Sequence, residues 1–155
     1  MQPLWESVHD RQISVRVLNL VNEARSRPRR CGNQMCEAAR PLTLNAQLGR
    51  AALWHSQDMA RFSFTNHQGR NGSTPEQRVT RAGYPWAATA ENVAAGPGTA
   101  EEVMAAWLAR PAHCANIMGA RYTDMGVAVV VSRQGAPRSY WTLSLAAPRE
   151  STLRK

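Results

Sequence analysis

"MGVAVVVSRQGAPRSYWTLSLA", residues 125–146, decides the fold class. Two runs rich in valine, leucine and aromatic residues flank "QGAP" (134–137), and this pattern predicts an antiparallel hairpin. From Val127 to Val131 the chain is apolar without alternation, as expected of a central strand covered on both faces.

Upstream the period changes from strand to helix. In "RQISVRVLNLVNEAR" (11–25), Ile13, Val17, Leu20, Val21 and Ala24 recur at helical spacing and give one apolar stripe, which should stop before Pro28. A loop with two cysteines runs on to Pro41. A second helix is expected over roughly 45–61, with Leu44, Leu48, Ala52, His55, Met59 and Phe62 on one face. His55 thus reads as a core histidine satisfied by one hydrogen bond. "TPEQ" (74–77) has Thr74 as N-cap, Pro75 at the first helical position and Gln77 closing a capping box. "TAEE" (99–102) repeats the device with Thr99 and Glu102, ahead of a core face of Val103, Met104, Ala106 and Trp107. Gly83 should end the first of these helices, and Pro111 should end or bend the second. Helices first and a hairpin last predict an α+β layered domain. One domain is expected over residues 1–148, followed by a loose basic tail, 149–155.

Composition narrows the function classes. The 155 residues contain 43% hydrophobic side chains, so a packed core is expected rather than disorder. No apolar run reaches the ~20 residues of a membrane helix. "MQPLWESVHDRQ" is acidic and lacks the apolar core of a signal peptide, so the protein stays inside the cell or the sequence begins after a removed leader. The net charge of +8 comes from 18 arginines and a single lysine, Lys155. Arg25, Arg27, Arg29 and Arg30 form the densest cluster, which could meet phosphate, an anionic glycan or an anionic membrane. No recognition helix or aromatic-studded basic sheet accompanies them, so nucleic acid is not an expected partner. No Gly-x-Ser-x-Gly elbow, P-loop or Gly-x-Gly-x-x-Gly run occurs, which leaves no basis for a serine triad or a nucleotide cofactor.

Polar residues without an evident structural task are few: His67 in a Gly- and Asn-rich loop, Glu91 opening "ENVAAG", and His113 in "PAHCANIM" (111–118). Two imidazoles and a carboxylate are the residue types that hold a divalent metal or move protons around a small substrate. Cys114 is no partner for His113, because successive helical side chains point about 100° apart. The two should serve different sides of their segment. Three cysteines, Cys31, Cys36 and Cys114, allow one disulfide and one free thiol in an oxidising compartment. No Cys-x-x-Cys or His-x-x-x-His pair suggests a structural zinc site.

Taken in order, "LNLVNEAR" (18–25), "PLTLNAQLGRAALWHSQDMA" (41–60), "FSFTNHQGRNGSTPEQRVTRAGY" (62–84), "ENVAAG" (91–96), "AWLARPAHCANIMGARYTDMGVAVV" (106–130) and "YWTLSLAAP" (140–148) resemble the bacterial branch of the CAP superfamily, the SCP-like extracellular and cysteine-rich secretory proteins. The resemblance covers about residues 13–148. It implies a three-layer α-β-α sandwich around a central antiparallel sheet, and a secreted or periplasmic address with the signal peptide already removed. It implies a cavity of His67, Glu91 and His113 able to hold a divalent ion, zinc before others. The family's second acid would fall near "LAR" (108–110), where Arg110 stands, and Ala90 and Ala112 replace glycines that could matter to local turns. The resemblance also favours a Cys31–Cys114 disulfide over Cys36–Cys114, leaving Cys36 free. Two functions follow from it, a monomeric binding module for lipid or another small ligand and a metal-dependent hydrolase with Glu91 as base; the arginine-rich loop adds a third, a protein docking on anionic envelope polymers. The first is favoured, since no nucleophile is identifiable.

Overall fold

The computed structural model describes residues 4–150, with side chains described from Asp10 onward. Its elements run α1 (Leu4–Arg25), β1 (Arg29–Cys31), β2 (Gln34–Cys36), β3 (Thr43–Leu44), α2 (Ala46–Phe62), α3 (Pro75–Arg81), β4 (Trp86–Ala95), α4 (Ala100–Leu108), α5 (Pro111–Ile117), β5 (Asp124–Ser132) and β6 (Arg138–Pro148).

The expected hairpin is β5–β6, antiparallel from Asp124↔Ala146 to Ser132↔Arg138. It forms the middle of a four-stranded sheet in the order β3-β5-β6-β4. Strand β6 is buried from Tyr140 to Ala146 because helices cover both of its faces. Trp141, Leu143 and Leu145 enter one core with Val17 and Val21 of α1, Val103 and Trp107 of α4, and Ile117 of α5. The alternate residues Tyr140 and Ala146 meet clusters that contain Met59 and Leu48 of α2 and Val79 of α3. The fold is therefore the expected α-β-α sandwich, with α1, α4 and α5 in one layer and α2 and α3 in the other.

Several local expectations shift. The sheet is antiparallel except at its edge, where β3 pairs with β5 in parallel through Thr43↔Asp124 and Leu44↔Met125. Burial along β5 is incomplete: Ala128, Val129 and Val130 are half-buried and Val131 is 45% exposed, whereas Ser132 is buried. The helix expected from residue 11 begins at Leu4. Ala106 is exposed, while Val103, Met104 and Trp107 form the buried face of α4. Thr74 and Gln77 make the reciprocal capping box, but at α4 only half of it forms: Thr99 accepts from Glu102 N, whereas Glu102 Oε1 accepts from Gly98 N. Residues 91–95 of "ENVAAG", not read as a strand, lie on β4, which pairs along its length with β6. Strand β6 ends at Pro148, Arg149 N donates to Pro85 O, and residues 151–155 of the expected tail lie outside the described residues.

The cysteine loop is a small hairpin, β1–β2, turning at Gly32 with φ +63°. A side chain there would also strike Pro111 Cγ, so glycine serves both the turn and the seating of the hairpin on α5. The Cys31–Cys114 disulfide joins the same two elements across 83 residues, and Cys36 is free.

Candidate functional site

Successive residues of a strand point to opposite faces, and "ENV" uses both. Glu91 faces the α2–α3 layer. Asn92 faces α5, donating from Nδ2 to His113 O at 3.1 Å and accepting from Asn116 Nδ2 at 2.9 Å. Because β4 is an edge strand, its residues can be approached from both helical layers. His67 arrives from the loop between α2 and α3, and His113 from α5. Their rings lie 6.5 Å apart, nearly edge to face. The three residues singled out in the sequence are thus brought together.

The carboxylate of Glu91 is almost wholly buried and both of its oxygens are engaged. Oε1 lies 3.0 Å from His67 Nδ1, and Oε2 accepts from Arg78 Nη2 at 2.7 Å. Arg78 also donates to His67 O at 2.7 Å and to Ser73 O at 3.0 Å, tying the histidine's loop to α3. The hydrogen bond with Glu91 raises the His67 pKa above the usual imidazole value, against the opposing effect of burial. Burial lowers that of His113, helped by the charges of His67 and Arg110, so the two rings are shifted in opposite directions. Its buried Nδ1 has no hydrogen-bond partner among the described residues.

Two members of this cluster were not assigned to it from sequence. His55 is the core histidine expected, 1% exposed with Nε2 on Asn66 O at 2.6 Å, yet the same atom is 3.9 Å from Glu91 Oε1. Burial lowers its pKa. Arg78 carries no sequence signal, since it follows a capping box like any surface arginine. Ala90 and Ala112 lie in regular strand and helix with no positive φ, so the missing glycines leave no strained turn.

The arginine cluster needs correction. Arg25 is fully buried, donating to Arg40 O, Ile117 O and Gly119 O at 2.8 Å and to Tyr122 O at 3.3 Å. A guanidinium has five donors, and backbone carbonyls claim most of them here. Arg25 is therefore a structural residue, and only Arg27, Arg29 and Arg30 remain on the surface. Among the described residues no group of three His, Cys, Asp or Glu side chains is disposed to hold a metal ion, and no helix is long and apolar enough to cross a membrane.

The family model of the cysteine-rich secretory proteins (CAP) matches residues 18–145. Protein YkwD of Bacillus subtilis (strain 168) is 31% identical over 106 residues, which are 68% of this chain and 39% of that protein. The structure of an extracellular protein containing an SCP domain from Bacillus anthracis matches with a TM-score of 0.77 at 20% identity, over 94% of this chain and 44% of the other. NaASP2 with Zn2+ matches with a TM-score of 0.53 at 14% identity, over 88% of this chain and 78% of the other. At such identities the two structures carry the fold alone, and the chain spans less than half the length of the two Bacillus proteins. With the model matched across all three layers of the sandwich, the chain belongs to the cysteine-rich secretory protein (CAP) family.

Proposed function

We propose that this chain is an extracytoplasmic binding module, secreted or periplasmic, whose cavity holds a divalent ion between the imidazoles of His67 and His113. The observation that carries this reading is the engagement of both Glu91 oxygens by His67 and Arg78. A carboxylate bonded to Nδ1 fixes the orientation of His67 and leaves Nε2 as its donor atom. His113, whose pKa burial lowers and whose buried Nδ1 has no partner among the described residues, supplies the second imidazole. The zinc named with the fold relative NaASP2 agrees with such a donor set.

The same observation weighs against hydrolysis. Each Glu91 oxygen already holds a positioned partner, which weakens it as a base or third ligand, and two protein ligands are one fewer than the three of a usual catalytic zinc site. An ion held this way binds reversibly and leaves positions for water or a ligand such as a lipid or another small molecule. Zinc titration of metal-free protein at near-neutral pH, by calorimetry, tests the reading. One zinc per chain is expected, weakened at least about tenfold by His67→Ala or His113→Ala. Binding absent in the natural sequence, or indifferent to both substitutions, refutes it.

A further inference from the structure

A cleft of ≈ 590 Å³ opens between α2, the loop after it and α3, with His55 and Arg78 in its lining. That is the size of a small-molecule site. Its chemistry differs from that of the histidine cavity. The Arg70 guanidinium lies 4.3 Å and that of Arg61 5.3 Å from the centre of the Phe62 ring, and that of Arg81 lies 5.3 Å from the centre of Trp54. A guanidinium held against a ring face keeps its N–H donors free, because they radiate in the plane of the group. Among the described residues none of these three side chains has a hydrogen bond or ion pair to the protein.

The cleft's one carboxylate, Asp58, accepts from Arg70 N at 2.7 Å. Arg78 also lines the cleft, but its charge is matched by Glu91. Three unpaired guanidiniums against one acid leave an excess of two positive charges. A phosphate monoester, close to a dianion at pH 7, balances that excess where a carboxylate would not. Beside the charges sit the half-buried Trp54 and Phe62, which is 40% exposed, so apolar surface borders the anion site.

We propose that this cleft is a binding site for a phosphate monoester carrying an aromatic or other apolar group, set by Arg61, Arg70 and Arg81 with Trp54 and Phe62. The site needs neither the metal ion nor the two cavity histidines.

The test titrates 1-naphthyl phosphate into EDTA-treated protein by calorimetry and tryptophan fluorescence, so its failure is separable from failure of the zinc reading. Saturable binding is expected, about tenfold or more tighter than inorganic phosphate or 1-naphthol alone, since each lacks half of the recognition. Arg70→Gln and Arg81→Gln, both at exposed positions that leave folding intact by circular dichroism, should each weaken it about fivefold or more. The combined Arg27→Gln, Arg29→Gln, Arg30→Gln variant of the front loop should change it less than about twofold. Non-saturable binding, or equal weakening by the front-loop variant, overturns the proposal, because diffuse surface charge then accounts for it. Sedimentation with phosphatidylcholine vesicles containing phosphatidic acid identifies the source. Co-sedimentation lost in Arg70→Gln and Arg81→Gln assigns the phosphate to a lipid headgroup. Probe binding without co-sedimentation assigns a soluble organophosphate.

Discussion

Arg78 and Glu91 form a buried ion pair at 2.7 Å, with side chains 7% and 4% exposed, and the arginine reaches from that pair to the backbone oxygens of His67 and Ser73. One guanidinium thus fixes both the carboxylate beneath His67 and the loop that carries His67. Removing it strands a buried carboxylate and at least two carbonyls. Arg78→Ala is expected to cost about 3–5 kcal/mol in urea unfolding, the range for breaking a buried pair from one side. Arg78→Lys should recover only part of this, because an ammonium cannot reproduce the fork. A loss below about 1 kcal/mol for the alanine variant would mean that the pair holds nothing together.

The cavity histidines should titrate on opposite sides of the ordinary value. His67 is raised chiefly by its hydrogen bond to Glu91, and His113 is lowered chiefly by burial. The sign for His67 follows from linkage: with its folded pKa above 6.5, its stabilising contribution is fully present below pH 6.5 and fades as pH rises through the folded value. Proton NMR of the imidazole C–H resonances should show His67 titrating above 6.5 and His113 below it. Glu91→Gln, close in shape and uncharged, should bring His67 down toward 6.5. An unmoved His67 would place the cause of its shift elsewhere.

The sequence made the fold readable because its signals are local. The hairpin at 125–146, the cap at Thr74 and the stripe from Ile13 to Ala24 each depend on neighbours a few residues away. The site was readable only in part. His67, Glu91 and His113 stand out as polar residues with no structural task, yet their spacing in the chain says nothing about distance, and their assembly came from family resemblance. His55 and Arg78 were missed as site residues for a different reason. A histidine on an apolar helix face and an arginine after a capping box each have an ordinary local explanation. Their second role exists only where β4 brings Glu91 between them. Arg25 failed in the opposite direction, since a run of four arginines reads as surface until the carbonyls of residues 40, 117, 119 and 122 close around one of them.

The disulfide should be one of the larger single contributions to stability. Closing a loop of 83 residues is worth about 4–5 kcal/mol in the chain-entropy model. Peptide mapping without reduction should recover Cys31 with Cys114. The double variant Cys31→Ser, Cys114→Ser should lose on the order of 4 kcal/mol in chemical unfolding, against little change for Cys36→Ser. A mapped Cys36–Cys114 peptide would contradict the structure.

Gly126 is the position at which α2 is allowed to sit on the sheet. A Cβ there would overlap the backbone of Leu48 and Gly49, and backbone cannot rotate aside as a side chain can. The φ of Gly126 is not positive, so the requirement is for space and not for an unusual turn. Its neighbours in β5, Met125 and Val127, face the opposite core, so α2 must move bodily to admit a methyl group. That movement would draw Leu48 and Ala51 from their packing with Val79 and Ala146, and would loosen the buried Ser56–Thr142 hydrogen bond of 2.8 Å. Gly126→Ala is therefore expected to destabilise by about 2–4 kcal/mol, at or above the upper end for overpacking by one methyl, because the obstruction is main chain. Gly49→Ala supplies the control: its added Cβ meets nothing within 4 Å, and alanine favours the helix, so it should be neutral or stabilising by up to about 1 kcal/mol. Thermal unfolding of the two variants side by side decides the matter. A Gly126→Ala protein as stable as Gly49→Ala would show that α2 lies farther from β5 than this contact requires.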